Sequence, residues 1–496
     1  TTVLPTLVLV IGFADAVHLM IDIRSSRGAG VTPLRAAGDA LRRLALPCLL
    51  CALTNVVGFG SLVTARIEAI QRFGVVCGVG SLLALLAVLL IVPLLASTRF
   101  GLNVQAAART DVPERIARAF EPILRRLLDR PRLTAAVGCG ATLLMCGSVL
   151  WLVPSNQSTE ALPSSSPALA AVAELDRSFG GSGSAQILVE WDEPLEVDSP
   201  ALLSAIQAAH QTAAAHSDIR NPSSLLNLVQ SLPAGRLLEA RTKWLNWVPE
   251  ETLSQFVRTD LKRALVRLRL REVGSDVHNA TFALLRSQFA DLEQAHPGFR
   301  YHLTGTTVVA ARNLNHMIAD LAPGLGSAAL VVFVVMGISF RSFRLGLISV
   351  VPNVFPMALT ATFLVLTGRP LQMTSVIVFS ICLGIAVDDT IHFIHRFQRE
   401  MKIDGDVRAS ILRSYRAVGS AMIMTSLVLV AGFAGLQTSD MPTTRLFSGL
   451  TCLTIASALI GELIILPAML LTFVPNKVVT GPHFGKFSRR EPAIAQ

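Results

Sequence analysis

Apolar stretches long enough to cross a bilayer recur along this chain, each closed by polar turns or by clusters of arginine. A helix spanning the hydrocarbon layer needs about 20 such residues. Nine segments meet that need, near 1–21, 44–64, 73–96, 134–153, 320–340, 346–367, 374–395, 418–437 and 446–473. The pattern changes between the fourth and the fifth. From 154 to 317 the sequence is polar enough for a separate fold, and alternation predicts strands at 185–191 (AQILVEW), 264–271 (ALVRLRLR) and 299–304. Helical spacing predicts helices at 200–215 and 276–295. A strand–helix–strand run from 264 to 304 can pack helices on one face of a sheet, giving an α+β domain. Trp244 and Trp247 within it serve either packing or contact with a hydrophobic ligand.

Composition strengthens this reading. Hydrophobic residues make up 52% of the 496 positions and charged residues only 16%, so much of the chain must be soluble in lipid. The net charge of +9 suggests nucleic acid until its distribution is considered. If the first span ends in the cytoplasm, the segments 20–46, 98–132, 340–346, 394–416 and 475–496 are cytoplasmic and carry 25 Lys and Arg. The short opposite loops 65–72, 367–371 and 438–445 carry four. That imbalance orients the chain and puts 154–317 outside the cytoplasm, with no need for a nucleic-acid partner. The segment 113–130 (PERIARAFEPILRRLLDR) is amphipathic, either a helix along the cytoplasmic headgroup layer or a solvated linker. All seven cysteines fall in apolar segments, which supports neither a disulfide framework nor a cysteine-based metal site. The chain opens at Thr1 inside an apolar helix, without a signal peptide, so the expectation is a fragment lacking an N-terminal part.

The sequence also repeats itself at an offset of 374 residues. Without a gap, Asp15 falls on Asp389, His18 on His392, Arg42 on Arg416, Gly58 on Gly432, Phe59 on Phe433, Phe73 on Phe447 and Pro93 on Pro467. Chance apolar similarity would not align Asp, His, Gly-Phe and Pro in one register. Each leading helix ends at a basic loop, so the repeats are parallel, related by an axis along the membrane normal. The expected organisation follows. Residues 1–97 are the last three spans of a first repeat, 98–132 a cytoplasmic linker, and 133–153 the span opening a second repeat. Residues 154–317 form the external α+β domain, 318–474 five further spans, and 475–496 a cytoplasmic tail. The whole is a polytopic α-helical membrane protein with nine spans of an expected twelve.

Candidate chemistry lies where the repeats agree. The first helix reads IGFADAVHLM, with Asp15 and His18 one turn apart on one face. Its counterpart reads LGIAVDDTIHFIHRF, with Asp388, Asp389 and His392. An Asp at the bilayer centre costs roughly 2.5–3.5 kcal/mol, a cost that implies a use or a partner. Desolvation raises a carboxylate's proton affinity, a nearby cation lowers it, and histidine starts near neutral. Asp15, His18, Asp388, Asp389 and His392 therefore suit a proton relay. The competing reading is a static buried network holding the repeats together. Thr54 and Asn55, then Thr425 and Ser426, stand on the following helices and either support the carboxylates or only pack. Glu462, whose counterpart is Val88, is a further interior carboxylate. Gly180–Ser184 lacks the lysine and helix of a phosphate loop, no zinc-binding His-Glu-x-x-His occurs, and no nucleophilic triad is evident. The sequence requires no cofactor.

LGIAVDDTIHFIHRF followed by TSLVLVAGFAGL resembles the second repeat of the resistance–nodulation–division superfamily, in its hydrophobe-exporter branch of MMPL-type and hopanoid-associated transporters. IGFADAVHLM and GFGSL look like the matching first-repeat elements, and ALPSSSPALAAVAELDRSFGG and FRYHLTGTTVVAARN resemble the ends of its polar domain. The resemblance implies a twelve-span proton antiporter of a bacterial inner membrane, with periplasmic porter domains and relay aspartates at Asp15, Asp388 and Asp389. It implies lipids or other hydrophobic molecules as substrates, a homo-oligomer (dimer or trimer), and room for a periplasmic or outer-membrane partner. Two departures matter. The first repeat has Ala14 where a paired Asp would stand. The lysine near the Asp pair of drug-efflux members has no counterpart in the spans at 44–64 or 418–437, which favours the lipid-exporter branch. A lipid sensor or scaffold without proton coupling is the main rival. An intramembrane hydrolase is the weaker one, because adjacent Asp388 and Asp389 diverge by about 100° around a helix.

Overall fold

The computed structural model describes residues 3–28, 30–64, 68–98, 112–155, 157–231 and 243–476. Most of the expected tail at 475–496 and the first part of the expected linker lie outside these. The chain begins with three long helices, α1 (Val3–Gly28), α2 (Pro33–Gly60) and α3 (Glu68–Ser97). Proline at the first position of α2 fits there because that N–H would have no helical acceptor. Two helices follow, α4 (Val112–Asp129) and α5 (Pro131–Ser148).

The polar region folds around an antiparallel sheet. After α6 (Pro167–Ser178) come β1 (Gly183–Trp191), α7 (Pro200–Ala214), β2 (Ile219–Ser223), α8 (Leu225–Ser231), β3 (Val257–Arg258), β4 (Arg263–Leu270), α9 (Ser275–Ala295) and β5 (Phe299–Thr304). The sheet order is β2-β4-β1-β5, with short β3 on β4, so the main path is a split β-α-β-β-α-β unit. Ala185, Ile187, Val189 and Trp191 alternate inward from β1 and meet Leu202, Ile206, Phe282, Leu285 and Phe289 of α7 and α9. The strands expected at 185–191, 264–271 and 299–304 are present. The short β2 and β3 were not anticipated, because neither carries enough alternation to read as a strand.

The remaining helices are α10 (Thr306–Ser339), α11 (Phe343–Leu366), α12 (Met373–Asp404), α13 (Val407–Ala434), α14 (Pro442–Ile460) and α15 (Leu466–Phe473). A single widened turn, Gly461–Ile465, joins α14 to α15. Eight helices among the described residues are long and apolar enough to cross a membrane, and the chain is a multi-pass membrane protein. The ninth expected span, 320–340, falls in α10, whose described apolar part is Pro323–Ser339, while its first turns, with Val308 and Ala311, join the core of the α+β unit.

The helices pack as the repeat predicts. α1 lies against α13 and α2 against α12, the same pairing exchanged between halves. α12 is the axis of the bundle: 89% of its apolar stretch is buried by protein, against 22% for α3. Its lower half enters one apolar core with Phe340, Phe397 and Tyr415, its upper half another with Phe59, Phe379 and Phe433. Gly405, in the left-handed region at φ 72°, ends α12, and the Asp406 carboxylate caps α13 by accepting from the Ala409 N–H at 3.1 Å. This turn lies at the arginine-rich end of the bundle. At the other end, Pro154 pairs with Leu371, Glu160 bonds Gln372, and Arg445 donates to Ser164 at 2.9 Å, so the chain entering the α+β unit is held to the arginine-poor loops.

The amphipathic segment does form a helix, and it is tied to α13. Phe120, Leu124 and Leu128 enter the core, and the Tyr415 hydroxyl donates to the Ala117 carbonyl at 2.8 Å. Glu121 accepts from Arg416 and from Arg125, each at 2.7 Å. The Arg416 hydrogen bond, against some desolvation and with help from Arg125, lowers the Glu121 carboxyl to about 2. A depressed carboxylate contributes stability above its unfolded pKa, near 4.5, and loses it as pH falls towards 2. Hydrogen exchange over 112–129 should therefore be faster in Glu121→Gln than in wild type at pH 7. The difference should close between about pH 4.5 and 2.

Candidate functional site

Two helices that are counterparts in the repeat, α1 and α12, bring their polar faces together in the middle of the bundle. Asp15 and His18 project from one face of α1 because residues three apart nearly eclipse, and Asp389 and His392 do so from α12. The His18 and His392 rings stack in parallel, centroids 4.1 Å apart and planes 5° from parallel. His18 Nε2 lies 2.9 Å from Asp389 Oδ1. The Thr425 hydroxyl of α13 approaches both Asp389 oxygens at 3.4 Å. Asp15, His18 and His392 are all buried, at 7%, 5% and 3% exposure.

The mirror half of this arrangement is open. His392 Nε2 is buried without a hydrogen bond among the described residues. Asp15, Cys48 and His392 instead offer donor atoms within 4.8 Å of one another. A tetrahedral zinc would hold a thiolate and an imidazole nitrogen about 3.5 Å apart. At such separations the three atoms are candidates for sharing a proton as well as for holding an ion. One His–Asp contact is thus made and its symmetry mate is not, although the same residue types occupy both.

Asp388 is held separately. Asn55 Nδ2 donates to its Oδ2 at 3.3 Å, and the Cys51 thiol lies 3.7 Å from its backbone oxygen. The contact depends on how closely α2 crosses α12. A Cβ on Gly384 would sit 2.3 Å from Asn55 Oδ1 and 3.0 Å from its Cα, and one on Gly58 would sit 3.0 Å from the Ser380 carbonyl. In the other half the residue matching Gly384 is Val10, whose Cγ2 lies 3.0 Å from where Gly432 would carry a Cβ. There Leu429 and Ala14 are the counterparts of Asn55 and Asp388. A polar pair in one half is replaced as a pair by apolar residues in the other.

The remaining sequence candidates divide. Asn55 and Thr425 reach the carboxylates. Thr54 does not: its hydroxyl bonds the Cys51 carbonyl of its own helix at 2.8 Å. Ser426 makes no hydrogen bond to either aspartate, and with Asp389, Thr454 and Glu462 it lines a small void of about 20 Å³. Glu462, 2% exposed, sits in the widened turn beside Asp389 and Thr390. Pro467 contributes to that turn, since it has no N–H for the Leu463 carbonyl. Cys48, Cys51 and the Asn353–Thr390 contact at 3.3 Å were missed. The signal for the cysteines was present: positions 48, 51 and 55 share a face of α2, and Cys51 is the counterpart of Thr425.

A cavity of about 690 Å³ leads from the arginine-rich end to this centre. It is bounded inside by His18 and His392 and at its mouth by Arg24, Arg43, Arg399 and Arg416.

Fold and site together define a multi-pass membrane protein whose duplicated helix triplets meet on buried carboxylates and imidazoles. Comparison with known families gives it a place: the MMPL family matches residues 1–133 and 160–493, and the chain belongs to that family of membrane transporters of hydrophobic substrates. A membrane protein of Methanocaldococcus jannaschii is 20% identical over 322 residues, covering 62% of this chain and 82% of that protein.

Exchanging the Asn55–Asp388 pair tests the crossing. Asn55→Leu alone leaves Asp388 without its donor and should cost about 1–3 kcal/mol. Asn55→Leu with Asp388→Ala, which copies the other half, should recover most of that loss. Thermal unfolding in detergent of both single variants and the double variant gives the coupling.

Proposed function

We propose that this protein uses a proton gradient to export hydrophobic or amphipathic molecules, lipids foremost, from a bacterial inner membrane towards the periplasm. The observation that carries this reading is the unequal occupation of two equivalent sites: His18 is bonded to Asp389, while His392 Nε2 is left without a hydrogen bond and Asp15 turns to Cys48. A static strut would satisfy both. A relay needs two arrangements of similar energy, and the repeat offers them as counterparts related by its axis.

The arginine-rich end faces the cytoplasm in this reading, because basic residues are retained on that side. The α+β unit then lies outside, as the porter domain. A proton arriving at Asp389 removes the charge that holds His18. The ring is then free to favour its partner across the stack, and α1 shifts relative to α12. The cavity reaching His18 and His392 provides the cytoplasmic outlet. Movement of α12 reaches the α+β unit through α10, which packs on α2 and α12 and begins directly after β5. One charge crossing about 100 mV supplies roughly 2.3 kcal/mol, comparable with exchanging one buried charged hydrogen bond for another.

Efflux of a fluorescent lipid from proteoliposomes holding the full-length protein, under an imposed pH gradient, tests this. Asp389→Asn and Asp15→Asn should each lower gradient-dependent efflux at least tenfold, while Thr54→Ala stays within twofold. Equal efflux from wild type and Asp389→Asn would make the buried network static and move the assignment to a lipid-binding scaffold.

A further inference from the structure

The arginine-rich mouth of the cavity can do more than release protons. Five arginines line it (Arg24, Arg43, Arg396, Arg399 and Arg416) against two carboxylates, Asp22 and Glu114. Part of that charge is balanced. Arg43 bonds Asp22 at 2.6 Å, Arg416 bonds Glu121, and Arg396 bonds Glu400 at 2.7 Å. Part is not. Arg399 makes no ion pair among the described residues: Arg396 and Arg43 repel it, each more strongly than Asp22 or Glu400 attracts it. The Nε of Arg396 is buried with no hydrogen bond. Arginines brought together around a space, with guanidinium edges left over, need an anion.

The rest of the wall says what kind of anion. Beyond the arginines the cavity is apolar, along Phe13, Val17, Met20 and Met424. Phe13 is 49% exposed on the outer surface of α1, so this wall continues onto the face that meets acyl chains. The volume, about 690 Å³, falls in the range of about 300–1,000 Å³ that small-molecule sites occupy. A small free anion would use the arginines and leave the apolar wall wet. An amphiphile uses both, with planar guanidinium groups matching the oxygens of a phosphodiester.

We infer that this cavity is a binding site for an anionic phospholipid, its phosphate among Arg43, Arg396 and Arg399 and its upper chain against Phe13 and Met424. The inference does not rest on proton coupling, since a protein with a disabled relay would bind equally well. Inorganic phosphate is the competing source of the same chemistry.

Native mass spectrometry of the full-length protein, titrated with short-chain phosphatidylglycerol, phosphatidylcholine or inorganic phosphate, reads the site directly. Phosphatidylglycerol should be retained at least tenfold more tightly than phosphatidylcholine. Arg399→Gln should abolish that preference, Arg399→Lys should keep most of it, and Met424→Trp, which fills the apolar wall, should weaken phosphatidylglycerol without restoring phosphatidylcholine. Unchanged unfolding temperatures exclude misfolding as the cause. Equal retention of the two lipids, or an Arg399→Gln protein that binds as wild type, overturns the site. Displacement of phosphatidylglycerol by millimolar inorganic phosphate as effective as by the lipid itself overturns the amphiphile.

Discussion

A carboxylate deep among apolar helices survives only where something else meets the cost of removing it from water. In this protein that requirement falls on the crossing of α2 with α12. Gly58 and Gly384 let the two backbones approach until Asn55 can donate to Asp388, and the same approach fixes the depth of α12 beside α1. The stacked imidazoles and the His18–Asp389 bond follow from that placement. A methyl group on Gly384 would meet Asn55 at 2.3 Å and move the whole polar centre.

The two halves share a plan and differ where it matters. Both carry an Asp–His turn, a Gly-Phe pair on the next helix and a proline on the third. Only the second half has the extra Asp388 and, in a widened turn, Glu462, and only the first has an Asn, Asn55, to face Asp388. The acidic groups are therefore concentrated around α12, the most enclosed helix, while α1 brings only Asp15 to the centre, beside the Cys48 thiol of α2. Exact symmetry would make the two His–Asp arrangements equal in energy. These departures make the two unequal.

Much of this was readable from residue order because the strongest constraints are periodic. The 374-residue register aligned Asp15 with Asp389 and His18 with His392, and the α1–α12 meeting follows from duplication alone. The apolar runs identified eight spans for the same reason. What was not legible depends on contact. Thr54 looks equivalent to Asn55 as a polar residue in an apolar helix, yet it lies about 100° around from it and turns to its own backbone. Cys48 and Cys51 read as small apolar residues until α1 and α12 are set beside them. The extension of the span at 320–340 back to the sheet was not legible, because one helix serves both the membrane and the α+β unit and hydropathy registers only half of it. Short β2 and β3 owe their form to β4, not to their own sequences.

That shared helix has a mechanical meaning. α10 runs unbroken from Thr306 to Ser339, with Pro323 at its midpoint. Its first residue follows Gly305, which sits at φ 116° with the backbone of Ala185 2.8 Å from where a side chain would begin. The helix is thus clamped to the sheet at one end and embedded among membrane helices at the other. From Pro323 to Thr306 is roughly 26 Å of helix at 1.5 Å per residue. A bend of about 10° at the proline would carry the clamped end through roughly 4–5 Å, more than the helices themselves need to slide. Through such a bend, a small displacement at the centre would become, at the sheet, a stroke the size of an acyl chain's cross-section.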